Sequence, residues 1–165
     1  MILGMSIGAF TILHVAITLV AIGSGLIVVG GMFATHRLLV TTALFLFTTA
    51  LTSVGFLFPI HGFTPALGVG ILALVILLIA LFALYKEHLV GAWRWIYVIA
   101  AIASLYLNVF VLVAQSFVKV SALTALASTQ TEPALAVTQA VILAIFVLIA
   151  LISVIKFRSP NTARV

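Results

Sequence analysis

Residues 86–119 read KEHLVGAWRWIYVIAAIASLYLNVFVLVAQSFVK. The stretch opens on charge, passes two tryptophans and a tyrosine around Arg94, and then runs apolar to Lys119. At 1.5 Å per residue, an apolar helix of about 20 residues crosses a hydrocarbon core of about 30 Å. Trp93, Trp95 and Tyr97 beside Arg94 read as interfacial anchors, because amphipathic rings favour the headgroup level. Further along, Ser104, Asn108, Gln115 and Lys119 fall within about 60° of one another at about 100° per residue. Amide side chains are costly in hydrocarbon unless they find partners, so this stripe is expected to face other helices. Lys119 ends it, long enough to snorkel to the surface.

The rest of the chain supplies those helices. It has 165 residues, 66% hydrophobic and 5% charged, with a mean hydropathy of +1.51. A soluble domain carries about 25% charge, so lipid is the expected solvent and a single membrane domain over residues 1–165 the expected organisation. Five apolar runs, at about 7–29, 38–58, 66–85, 94–118 and 134–155, predict an all-α bundle of five transmembrane helices. The first has no basic start of the signal-peptide kind and reads as a retained helix. It presents Thr11, His14, Thr18, Ala21 and Gly25 on a narrow arc suited to close packing, and Gly30-Gly31 is its expected end. The second lines Thr41, Thr48, Thr52 and Gly55 along one face and stops at Pro59. The third is almost purely aliphatic past Gly70 and is the expected lipid-facing helix. Between the fourth and fifth, residues 120–132 predict a loop with a short interfacial helix. There Thr129-Gln130-Thr131-Glu132 has capping-box spacing ahead of Pro133.

Charge sets the expected orientation. Arg37, Lys86, Arg94, Lys156, Arg158 and Arg164 fall on one side of such a bundle and Lys119 alone on the other. By the positive-inside rule the N-terminus lies outside and the C-terminus in the cytoplasm. The net charge of +5 does not indicate nucleic acid, because the basic residues sit singly at helix ends rather than on one face.

Chemistry is sparse. Cysteine and aspartate are absent, and Glu87 and Glu132, the only carboxylate side chains, fall at helix ends. This argues against thiol chemistry, a Ser-His-Asp triad and an intramembrane carboxylate relay. Of the histidines, His14 alone lies well inside a run, whereas His36, His61 and His88 fall at ends or in loops. Two facing histidines at one depth, the usual mark of a haem site, are therefore not evident. His14, Ser104, Asn108, Gln115 and Lys119, with His61 and Gln139 on the same side, could instead line an outward-facing pocket for a quinone, a haem edge or a lipid. The simpler reading is interhelical hydrogen bonding that fixes packing. No metal-ligand motif accompanies His14.

The strings Gly91-Ala92-Trp93-Arg94-Trp95-Ile96-Tyr97, Leu105-Tyr106-Leu107-Asn108-Val109-Phe110-Val111 and Ala125-Leu126-Ala127-Ser128-Thr129-Gln130-Thr131-Glu132-Pro133 resemble a family of small, uncharacterised multi-pass proteins of the bacterial inner membrane. The resemblance runs from about residue 14 to 157. It implies that location and no particular activity. Family members often carry a histidine soon after the proline of the outer loop, where this chain has Pro65 followed by Ala66 and Leu67; the departure weakens a haem or metal reading of the outer face. The function expected from these features is a non-catalytic accessory or scaffold protein, a small subunit beside other membrane subunits or its own copies. The alternatives are the ligand-binding protein just described and, less favoured, an oligomeric channel.

Overall fold

A computed structural model describes residues 6–53, 65–125 and 133–157. These residues form helices and turns, with no strand among them. The helices are α1 (Ile7–Phe33), α2 (Leu39–Ser53), α3 (Pro65–Leu81), α4 (Trp93–Lys119), the single turn α5 (Ser121–Thr124) and α6 (Pro133–Lys156). A π-helical segment, Phe82–Lys86, continues α3. Many of these residues are β-branched and form helices poorly in water. In an apolar solvent the balance changes, since each unsatisfied backbone group costs several kcal/mol and the helix satisfies them internally. Proline stands at the first position of both α3 and α6, where its missing N–H costs nothing.

Four helices are long and apolar enough to cross a membrane: Gly8–Phe33, Leu67–Lys86, Trp93–Lys119 and Pro133–Lys156. The described part of α2 is shorter. The expected end of that run at Pro59, with Gly55 and His61, lies outside the described residues. So do the capping box before Pro133 and the basic tail beyond Phe157.

Helix α4 packs against every other helix, and its neighbours form the shell: α1 meets α2 and α6, and α2 meets α3. The principal core joins Val28, Met32, Phe45, Leu77, Val98, Leu105 and Phe146 across α1, α2, α3, α4 and α6. Close approach is made possible by small residues. A Cβ on Gly25 would come within 2.7 Å of Leu105 Cδ1 and 2.9 Å of Phe45 Cε2, so α1 seats on α4 and α2 where Gly25 has no side chain. Ala73, Ala80 and Ala83 are buried along the α3 line, which packs on α4. The arc foreseen on α1 is real: Thr18, Ala21 and Gly25 are buried, and Thr11 and His14 half-buried.

Three expectations need correction. The first helix does not stop at Gly30-Gly31 but runs to Phe33. It ends in a Schellman motif, with His36 N donating to Gly31 O (2.8 Å), Thr35 N to Met32 O (3.3 Å) and Thr35 in the left-handed region at φ 58°. Gly31 leaves room for the returning chain: its missing Cβ would lie 3.0 Å from Leu38 Cδ1. Second, α3 is not the most peripheral helix; α6 buries only Leu135, Phe146 and Ser153. Composition fails here because α3 is apolar throughout and α6 nearly so outside Thr138, Gln139 and Ser153, and only their neighbours distinguish them. Third, Tyr97 and Arg94 are engaged within the bundle rather than projecting outward from it. Tyr97 is 3% exposed and lines a small interior cavity together with Thr42. Arg94 donates through Nη1 to the Val154 carbonyl (3.1 Å) and to the Phe157 carbonyl, tying off the C-terminus of α6. Trp95 remains exposed, while Trp93 packs its ring 5.2 Å from that of Phe82.

One end of the bundle thus gathers the turn between α1 and α2, the turn between α3 and α4, and the C-terminus of α6. Arg37, Leu89, Tyr97 and Phe157 meet there around a cavity of about 20 Å³. Leu89 is 1% exposed although its φ is 61°. Burying its side chain offsets a left-handed backbone that costs roughly 1–2 kcal/mol.

Candidate functional site

The polar interior is organised by Asn108, midway along α4. Its amide Nδ2 donates to Thr49 Oγ1 (3.1 Å), and its Oδ1 accepts from Thr52 Oγ1 (3.1 Å). One side chain thus bridges α4 to two successive turns of α2. Asn108 is buried and Thr49 fully so. Thr52 also approaches the Thr49 carbonyl (2.9 Å), so the three groups form one cluster.

Most neighbouring hydroxyls bond to their own helix. Thr18 donates to the His14 carbonyl (2.8 Å), Ser24 to Val20 (2.7 Å), Thr48 to Leu44 (2.7 Å), Ser53 to Thr49 (2.8 Å) and Ser116 to Leu112 (2.7 Å). Such back-bonds hide a hydroxyl in apolar surroundings without a second helix. Ser104 and Ser153 differ: both are fully buried, and their Oγ atoms have no hydrogen-bond partner. Gln139 donates through Nε2 to the Phe110 carbonyl (3.0 Å), joining α6 to α4, while its Oε1 is buried without a donor.

The structure divides the proposed stripe. Ser104 and Asn108 face the bundle interior, as expected. Gln115 and Lys119 are exposed among the described residues, so the stripe does not continue inward along its length. The reason is reach. Helix α4 has 27 residues, and its last turns pass beyond the main core into a small cluster of Phe117 and Leu135 with Val113, Leu123 and Ala134. His14 is half-buried on α1 and lies within electrostatic reach of Lys119, which places both toward that end. His36 and His88 are exposed at the opposite end, and His61 lies outside the described residues. Among the described residues no three His, Asp or Glu side chains gather at one point.

Sequence reasoning missed Thr49, the partner of Asn108, and Thr42, which lines the same cavity as Tyr97. The signal was present: Thr42, Phe45, Leu46, Thr49 and Ser53 share one arc at about 100° per residue, and all are buried. The parallel arc through Thr41, Thr48 and Thr52 is offset by one residue. Without a partner's position nothing in α2 chooses between them.

No protein family, characterised protein or solved structure matches the chain.

Proposed function

We propose that the chain is a non-catalytic accessory or scaffold protein of the bacterial inner membrane, a small subunit of a larger membrane complex. In this reading it spans five times, with the N-terminus outside and the C-terminus in the cytoplasm. The observation that carries the reading is the Asn108 cluster. The most polar side chain of the interior is used to join α4 to α2 through Thr49 and Thr52. The adjoining hydroxyls are mostly bonded to their own backbone. A polar interior spent this way favours holding helices together over presenting groups to a substrate. The sparsely covered α6, with Val137, Leu148 and Ile155 exposed, offers an outer face to lipid or to another subunit. The basic residues Arg37, Lys86, Arg94 and Lys156 stand at helix ends or in turns on the side assigned to the cytoplasm, which favours the orientation.

Extraction of native membranes in a mild detergent, followed by sizing and mass spectrometry, tests the role. The expected result is a stoichiometric complex with another membrane protein. A lone monomer would refute the subunit reading.

A quinone-, haem- or lipid-binding role has one observation in its favour: Ser104 Oγ and Gln139 Oε1 are buried polar atoms without partners. An oxidised and reduced absorption spectrum of the purified protein, with solvent extraction of the same sample, distinguishes the two. A haem band or a stoichiometric quinone would move the assignment to this reading.

A further inference from the structure

At the end of the bundle that carries Arg37 and Lys86, helices α3 and α4 leave an open cleft between them. Leu78, Ile79 and Phe82 form one wall and Trp93 and Ile96 the other, around about 520 Å³. That volume lies within the usual range for ligand sites, about 300–1,000 Å³, but here every lining residue is apolar or aromatic. The tilted Phe82 and Trp93 rings close one end. Phe82 opens the π-helical segment and Lys86 ends it, with Glu87 N donating to Phe82 O (3.1 Å) across that wider turn. Lys86 therefore stands one turn beyond Phe82, past the end of the cleft, and it is exposed.

We propose that this cleft holds an acyl chain of an anionic phospholipid, with the lipid phosphate at Lys86. Three observations support this occupant. The cleft offers carbon to its ligand and no polar group, which suits a hydrocarbon chain. Its end toward Lys86 is cationic: Arg37, Lys86, Arg94 and Lys156 stand at this end, against Glu87 as its one carboxylate among the described residues. Of these, Arg94 is committed to the carbonyls of α6, which leaves Lys86 as the cation nearest the cleft in the chain. A second copy of this chain is a poorer occupant. A two-fold contact through this face would bring Lys86 toward the partner's own Lys86. The proposal goes beyond the scaffold reading and does not depend on it.

The chain has only two tryptophans, and one lines the cleft. In a Trp95→Phe variant of the full chain, Trp93 becomes the sole fluorescent reporter, and the substitution falls on an exposed ring. The variant is placed in bilayers of phosphatidylcholine and phosphatidylglycerol with bromine on the acyl chains of one lipid at a time. Brominated phosphatidylglycerol is expected to quench Trp93 at about fivefold lower mole fraction than brominated phosphatidylcholine, the preference one interfacial lysine supplies. Adding Lys86→Gln should abolish that preference and leave quenching by phosphatidylcholine intact. Equal quenching by the two lipids would overturn the proposal in favour of an ordinary lipid boundary. Absence of quenching by either would overturn it in favour of a second copy of this chain covering the cleft. The parent protein, measured alongside, should show the same order with a contribution from Trp95 that is insensitive to headgroup.

Discussion

Asn108 is an amide in an apolar interior, and such a group remains there only when its donors and acceptors are met. Thr49 and Thr52 meet them, at 3.1 Å each. Interhelical hydrogen bonds of this kind in membrane proteins contribute about 0.6 kcal/mol on average and up to about 1.7 kcal/mol. Asn108→Leu with Thr49→Val, measured as a double-mutant cycle by steric trapping or denaturant titration in detergent, should give a coupling in that range. Additive effects would mean that the cluster does not join the helices. Thr35 allows a second prediction at this scale. It holds φ 58° at the end of α1, a conformation that suits glycine and is unfavourable for a β-branched residue. Thr35→Gly should raise stability by about 1 kcal/mol, read as a higher midpoint in thermal or denaturant unfolding. Loss of stability would show that Thr35 makes a contact worth more than its strain.

Between elements, the seat of α1 is its decisive contact. Gly25 has Leu105 and Phe45 where a side chain would go, whereas Gly23 and Gly30 have nothing within 4 Å. Phe45 and Leu105 are both 1% exposed, so neither has open space to move into. Gly25→Val should therefore destabilise the protein by about 1–3 kcal/mol, while Gly23→Ala should be neutral or slightly stabilising through helix propensity. Equal effects at the two sites would place the α1 contact elsewhere. Arg94 acts between elements as well. Arg94→Leu removes the donor to the Val154 and Phe157 carbonyls and should increase amide exchange in the last turn of α6, with little change in the first turns of that helix. These contacts show which inferences composition and periodicity supported. Helix existence was legible, because runs of about 20 apolar residues admit few alternatives. The packing arc through Thr18, Ala21 and Gly25 was legible because small residues at helical spacing have one main use. The role of Tyr97 was not. A tyrosine beside two tryptophans at a helix end reads as an interfacial anchor, and only its burial among the packed helices shows that it turns inward.

For the whole molecule, four helices meet the length and apolarity of a membrane crossing, and α4 touches all the others. The central place of α4 was visible in its mixed character: it carries Ser104 and Asn108 inside the bundle, while α3 is apolar throughout. The candidate site was half legible. Ser104 and Asn108 lie inside as expected, but Gln115 and Lys119 do not, because a helical wheel has no depth and α4 outruns the main core. The number of crossings is the central structural claim, and it reduces to parity. Five crossings place the two ends of the chain on opposite sides, and four place them on the same side. The chain has no cysteine, so single-cysteine variants are read without background. Ser6→Cys and Asn161→Cys, expressed in cells and probed with a membrane-impermeant maleimide before and after lysis, provide the direct test. Five crossings with the N-terminus outside predict that position 6 reacts in intact cells and position 161 only after lysis. Reaction of both positions in intact cells, or of both only after lysis, would contradict it.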